Sequence, residues 1–378
     1  MLYKLYTLTA ALLLRPCRGF SPIWSLSNAM LASSQVNEAD LAMSRSVTSG
    51  AELAMAECAA QFKNEVWNCP VTAFDRAKEA AASGGGGGWE NNRETAYVHA
   101  IMSAGVTHTI ARNCSEGSLT HCGCERNGRV SDSEAWKWGG CSDNVVFGSL
   151  VSRQFLDKAA SEPGSLAAQH NNEAGRIAIK KTMRQLCKCH GVSGSCATQT
   201  CWRQLGNFRD VGKYLKKQYT AAQKVDYSNG VLLKLQNSRI TSNRVERSRR
   251  GSRAGSDDSG ASNQSSKPIK KRKLVFLQPS PNYCRMNPAL GYKGVVGRSC
   301  IADPASANPT RDIRKCTELC SACGLYARKE VVEVTTSCNC RFEWCCRISC
   351  DTCRKKQVII TCVERRNFDY KFIVSNST

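Results

Sequence analysis

Cys187-Lys188-Cys189-His190-Gly191-Val192-Ser193-Gly194-Ser195-Cys196, followed by Thr200-Cys201-Trp202, puts four cysteines within fifteen residues. If they pair across the segment, they make a rigid hairpin with Ser195 near its tip. Two other chemistries compete for the same residues. Cys, Cys, His and Cys in close order can ligate zinc. Gly191-Val-Ser193-Gly-Ser195 approaches the nucleophile elbow of serine hydrolases, but its last position is serine instead of glycine and no strand-to-helix context surrounds it. His190 is almost adjacent to Ser195, which leaves the chain little room to wrap a dyad, and no acidic partner is evident. We therefore assign no catalytic residue. Disulfide or zinc is decided by compartment.

The N-terminus speaks to compartment. Lys4 supplies a positive n-region, Leu5 to Leu14 is apolar, and Arg15-Pro16 ends the run. The stretch is shorter than the ~20 residues of a membrane span and fits a secretory signal over 1–19, with small residues at Cys17 and Gly19 allowing cleavage before Phe20. No later segment is long and apolar enough to cross a bilayer. Export favours disulfides over a metal. Of 23 cysteines, Cys17 leaves with the signal; ten lie between Cys58 and Cys201, and twelve between Cys284 and Cys362. Even numbers on both sides suit two lobes that each close on themselves. With 53 Lys and Arg against 31 Asp and Glu, the formal charge is +22, which points to an anionic partner. Export leaves nucleic acid out.

Residues 20–237 read as a helical lobe. Helix formers run from Ala51 through Cys58 toward Trp67-Asn68-Cys69-Pro70. Val98, Ile101, Gly105 and Thr109 recur at helical spacing over Glu94 to Ala111. A third helix spans about Asn172 to Leu186, with Ile179, Met183 and Leu186 as its apolar stripe and Arg176, Lys180, Lys181 and Arg184 as its wet face. Gly84 to Gly88 is a flexible loop. Residues 238–273 form a basic, disordered connector. In it, Arg247-Ser-Arg249-Arg250 resembles a dibasic processing site, and Lys270-Lys271-Arg272-Lys273 reads equally as a heparan-sulfate contact or a solvated linker. Residues 274–378 read as a cysteine-rich lobe of β-hairpins with little conventional core, in which Glu330 to Val334 and Gln357 to Thr361 frame Cys338 to Cys353.

The hairpin segment, with Trp67-Asn-Cys-Pro70, Arg112-Asn-Cys-Ser115, Trp138-Gly-Gly-Cys141-Ser-Asp-Asn144, His170-Asn-Asn-Glu-Ala-Gly-Arg176 and Cys338-Asn-Cys-Arg-Phe-Glu-Trp-Cys-Cys346, resembles the Wnt secreted signalling ligands. Gly139 to Asn144 with Phe147-Gly148 and the cysteine total are most like the eighth Wnt subgroup. The resemblance implies a two-lobed α+β fold, with a lipid-bearing hairpin on the helical lobe, and no catalytic activity, metal or bound cofactor.

It also implies that Ser195 carries a palmitoleoyl ester added by the acyltransferase Porcupine. That chain enters a groove of the Frizzled cysteine-rich domain, with Lys188, His190, Gly191, Val192 and Gly194 beside it. Phe342 and Trp344, next to the pair Cys345-Cys346, resemble the fingertip that grips the opposite side. Cys345 and Cys346 are joined to each other in the family. The other family pairings are Cys58–Cys69, Cys114–Cys122, Cys124–Cys141, Cys187–Cys201, Cys189–Cys196, Cys284–Cys323, Cys300–Cys316, Cys320–Cys362, Cys338–Cys353 and Cys340–Cys350. Further partners implied are a low-density-lipoprotein-receptor-related coreceptor and a secretion carrier, with β-catenin signalling as the outcome and the extracellular space and matrix as the location. Glycosylation sequons lie at Asn113, Asn263 and Asn376. The pentaglycine insertion and the long basic connector depart from the family pattern.

Overall fold

A computed structural model describes residues 38–82, 91–125, 139–157, 162–228, 230–234, 269–288, 291–302, 309–344 and 347–364. The signal segment 1–19, the pentaglycine run, Arg247 to Arg250, Asn263, Cys345-Cys346 and Asn376 lie outside the described residues. The chain divides after Met55, Arg76 and Gln278 into two units.

The first unit is built on helices. They are α1 (Glu38–Gln61), α2 (Val71–Ala82), α3 (Arg93–Ser115), α4 (Val145–Leu156), α5 (Pro163–Thr182) and α6 (Phe208–Thr220). Helix α1 runs on past the division after Met55, and α2 begins before the one after Arg76. Asn92 caps α3 by accepting the Thr95 N–H at 2.9 Å. Tyr97, Val98, Ile101, Val106 and Ile110 bury α3 on nearly every side, which is the pattern of a central helix. The expected stripe over Glu94 to Ala111 therefore sits on it, with Thr109 the less covered position. Glycines on the neighbouring helices let them come close to it. A Cβ on Gly175 of α5 would collide with the Ala100 carbonyl, and one on Gly148 of α4 would lie 2.5 Å from the Thr107 carbonyl.

Helix α5 differs from the sequence reading. It starts at Pro163, a residue pre-set for the first helical position, and ends at Thr182. Met183 and Leu186 thus fall outside it. Arg176 is not on a wet face: it is 1% exposed. Its guanidinium meets Asp157 Oδ2 at 2.6 Å and Glu173 Oε2 at 2.8 Å, and Ser103 Oγ also accepts from it at 3.4 Å. A charge can be buried when it is paired and hydrogen-bonded in this way. Spacing alone could not reveal Asp157, which comes from beyond the helix.

After α5 come β1 (Arg184–Cys189) and β2 (Gln199–Gln204), an antiparallel hairpin. A second small sheet pairs β3 (Gln223–Ser228) with β4 (Val231–Lys234) and, in parallel, with β5 (Val275–Phe276). This moves the boundary expected at residue 274. Leu274 and Val275 are fully buried in the first unit, and Asn171 clamps Val275 by donating to its carbonyl at 3.0 Å and accepting its N–H at 2.9 Å. His170 Nε2 adds a contact to the Lys273 carbonyl at 2.9 Å. The apolar run after the connector is part of the helical body because α5 supplies both polar partners and cover.

The second unit takes residues 56–76 and the chain from Pro279 onward. Strands β6 (Ser299–Ala302), β7 (Tyr326–Glu343) and β8 (Arg347–Val363) form a sheet in the order β6-β8-β7. Val331 pairs with Val358, so the two framing β-rich runs face each other. Helix α7 (Pro309–Ala322) was not legible in the sequence. It contributes Cys316, Leu319 and Cys320 to a core with Val295, Cys300, Ile360 and Cys362. Sulfur supplies much of that core, as expected for a small lobe. Arg298 secures residues 56–76 by donating to the carbonyls of Lys63 at 2.7 Å, Glu65 at 2.7 Å and Val66 at 3.0 Å.

Candidate functional site

Among the described residues, each unit carries one hairpin that is stapled by disulfides and exposed at its tip. In the first, Cys187 faces Cys201 across the ladder, and disulfides join Cys187 to Cys201 and Cys189 to Cys196. All four sulfurs are therefore bonded to one another, and no thiolate is left to hold zinc. Beyond β1 the chain turns on backbone bonds. His190 N–H donates to the Thr198 carbonyl at 2.7 Å, Gly191 N–H to the Ser195 carbonyl at 2.8 Å, and Gly194 N–H to the Gly191 carbonyl at 2.9 Å. A single 3₁₀ turn over Val192–Gly194 closes the tip, with Ser193 at φ +58° and Gly194 at φ +76°. A Cβ on Gly191 would run into Ser195 Oγ and lie 2.5 Å from the Ser195 carbonyl, so only glycine lets the serine sit there.

The turn holds its apolar and polar groups outward. Ser195, Lys188, His190 and Gly194 are exposed, Gly191 is half-buried, and Val192 is 89% exposed. A bare valine standing off a polar hairpin has no folding role. The hairpin root is tied to the helices: Arg184 meets Asp210 at 2.7 Å, and a Cβ on Gly206 would lie 2.5 Å from the Thr182 carbonyl. Below the root, His108 of α3 is buried with its ring edge-on to Phe208, centroids 5.2 Å apart, and its Nε2 3.4 Å from the Gly206 carbonyl. Burial pushes its pKa down; the Gly206 carbonyl and Asp143 pull it back up, and Arg112 lowers it further.

In the second unit the long hairpin β7–β8 is stapled by Cys338–Cys353 and Cys340–Cys350. A bulge between Cys338 and Arg341, with Asn339 at φ +47°, shifts the register before the tip. Phe342 is 72% exposed and Trp344 94%. Phe342 pairs across the ladder with Ile348, itself 69% exposed. Ile348 is a tip residue that sequence reading missed. Its signal was the strand register, which the bulge makes uncountable from sequence.

The remaining disulfides join Cys58–Cys69, Cys114–Cys122, Cys124–Cys141, Cys284–Cys323, Cys300–Cys316 and Cys320–Cys362. Asn113 sits half-buried on the last turn of α3 and donates to Ser46 Oγ at 2.8 Å. Lys270, Lys271 and Arg272 are exposed. Among the described residues no helix is long and apolar enough to cross a membrane, and no group of three metal-binding side chains occurs.

Two disulfide-ruled hairpins hold non-core groups out in solvent, the arrangement of a recognition surface. The chain belongs to the Wnt family, whose model matches residues 27–363. It is similar to Wnt-8b of Mus musculus, 43% identical over 89% of this chain and 88% of that protein. It is 39% identical to Wnt-8a of Homo sapiens, over 89% of this chain and 90% of the relative. Wnt-8 of Xenopus laevis is also 39% identical, over 89% and 87%. Among solved structures, one described as human WLS in complex with WNT8A matches with a TM-score of 0.61 and 36% identity, covering 90% of this chain and all of that one. Members of the family are secreted signalling ligands, not enzymes.

Proposed function

We propose that this chain is a lipid-modified ligand that grips the cysteine-rich domain of Frizzled with two tips and activates β-catenin signalling in cell-fate specification. The carrying observation is the first hairpin: two disulfides, a glycine that cannot be replaced and an outward serine, with no core to serve. An exposed polar turn gives little affinity by itself. A 16-carbon acyl ester on Ser195, at about 0.8 kcal/mol per buried CH₂, makes it a strong apolar anchor. Lys188, His190, Gly191, Val192 and Gly194 form the protein collar around that ester. Phe342 and Trp344, with Ile348 beside them and Cys345-Cys346 following, supply the second contact; exposed aromatics are favoured hot spots.

Porcupine is the enzyme for the ester, and a low-density-lipoprotein-receptor-related protein the coreceptor. The structural relative is in complex with WLS, and a secretion carrier is the partner needed to shield an acyl chain from water before release. Exposed Lys270, Lys271 and Arg272 suit heparan sulfate in the matrix. Asn113, Asn263 and Asn376 are the candidate glycan sites.

The test is mass spectrometry of the tryptic peptide Cys189 to Arg203 from secreted, reduced and alkylated protein. We expect one palmitoleoyl increment, localised to Ser195. Unmodified Ser195 in protein that still signals would sink the acyl mechanism and leave recognition to Phe342 and Trp344.

A further inference from the structure

The run Gly139-Gly140-Cys141-Ser142-Asp143-Asn144 lies at the root of the Ser195 hairpin, where Gly139, Gly140, Ser142 and Asp143 meet β2 and the residue after it. Gly139 N–H donates to the Cys201 carbonyl at 3.1 Å. Asp143 N–H donates to the Arg203 carbonyl at 2.9 Å, and Arg203 N–H donates to Ser142 Oγ at 3.1 Å. The Asp143 carboxylate accepts the Leu205 N–H at 2.6 Å, where the chain leaves β2. These bonds give β2 a second backbone neighbour on the edge opposite β1.

Both glycines are dictated by contact with the hairpin. A Cβ on Gly139 would lie 2.9 Å from Thr200 Cγ2; Gly140, at φ +79°, lies under the Trp202 indole. The other side of the run is tied to the helical body. Cys141 is bonded to Cys124, and the Ser142 carbonyl accepts Glu125 N–H at 2.9 Å. Asn144 caps α4 by accepting Phe147 N–H at 3.0 Å and donates to the Gly123 carbonyl at 2.9 Å.

We propose that residues 139–144 are a socket that sets the direction in which the Ser195 hairpin leaves the helical body, with Asp143 as its positioning residue. The inference rests on the reading that acylated Ser195 makes a receptor contact. Asp143 never touches that contact. It acts through Leu205 and Arg203, converting a hairpin that is internally stiff into one that is also aimed. A tip free to swing about residues 204–207 would lose affinity by disorder alone, since a preorganised site avoids that ordering cost.

The test uses the full secreted chain with Asp143→Ala, Asp143→Asn and Gly139→Val, and Ser195→Ala as reference. Three quantities are read: acyl occupancy of the Cys189 to Arg203 peptide, amide exchange by segment, and affinity for an isolated Frizzled cysteine-rich domain. In Asp143→Ala we expect faster exchange at Arg203 and Leu205, unchanged protection over Tyr97 to Ile110, and about tenfold weaker binding of the acylated fraction. Asp143→Asn keeps a side-chain carbonyl to accept Leu205 N–H and restores most of that loss. Gly139→Val reproduces the defect from the opposite end of the run. Unchanged affinity in fully acylated Asp143→Ala overturns the socket, as does exchange that rises equally in α3, which marks a general folding role. If Ser195→Ala binds as tightly as the parent, the acyl reading fails instead, and the exchange data at Leu205 still judge the socket.

Discussion

The two hairpins solve one mechanical problem in opposite ways. The first is six residues a side, has a tip built of glycine and serine, and rests in a socket of backbone hydrogen bonds. The second runs eighteen residues against seventeen, exposed along most of its length, and is gripped at its root by β6, α7 and residues 295–298. Above that root its stiffness comes from Cys338–Cys353 and Cys340–Cys350. The recognition groups differ accordingly. Phe342, Trp344 and Ile348 are encoded apolar side chains, whereas the first tip offers a hydroxyl whose affinity must be added by chemistry. Short, aimed and modified is one design; long, stapled and ready-made is the other.

The sharpest way to break that contrast is Ser195→Ala. Loss of a 16-carbon chain at about 0.8 kcal/mol per buried CH₂ should weaken Frizzled binding more than about 100-fold, read by surface plasmon resonance. An effect no larger than that of a fingertip substitution would erase the distinction. Next, removing Cys340–Cys350 by paired alanines should cost the long hairpin's tip about 3 kcal/mol of local stability, by loop-closure entropy. Amide exchange should rise from Arg341 to Ile348. The matching Cys187 and Cys201 pair should disturb the first hairpin's root less, because residues 139–143 still hold Arg203 and Leu205. Equal fraying of both would show that the socket contributes nothing.

Trp344→Ala should weaken receptor binding by about 2 kcal/mol, the scale of an aromatic hot spot, without shifting Tm. Its exposure means no core contact is lost. The smallest effect concerns pH. Burial holds His108 below the ordinary imidazole value near 6.5, with Arg112 acting in the same sense and the Gly206 carbonyl and Asp143 opposing. A folded-state value lower than the unfolded one means that the native state disfavours the proton. The stabilisation is complete above pH of about 6.5 and is lost as pH falls. Tm should therefore be lower at about pH 5 than at neutrality, and His108→Gln should shrink the difference. A Tm that does not move between the two would remove His108 from the root's energetics.

Much of the site was legible because cysteine and glycine positions are read one residue at a time. The hairpin and its tip serine came from the spacing of Cys187, Cys189, Cys196 and Cys201; their partners came with the family resemblance, since spacing leaves several pairings open. Helical periodicity found α3 and part of α5. It misjudged Arg176, because a face that is wet in an isolated helix becomes buried when Asp157 and Glu173 supply opposite charge. The change of composition at the end of the connector put Leu274 to Leu277 in the second lobe, whereas they belong to the first unit, because an apolar run states that it will be buried and not against what. Helix α7 carried its cysteines where only hairpins were expected.

The sequence by itself determined that the chain is disulfide-framed, that a serine stands at a cysteine-bounded turn, and that aromatic residues crowd a second cysteine cluster. Those are local facts, set by residue identity and short spacing. Only the tertiary structure decided that Gly139 to Asn144 cradles that turn, that Asn171 draws Val275 into the helical body, and that a bulge at Asn339 puts Ile348 beside Phe342. The first two depend on hydrogen bonds between segments distant in sequence, made to backbone groups that look alike in every residue; the third depends on a one-position shift of register that alternation along the strand does not announce.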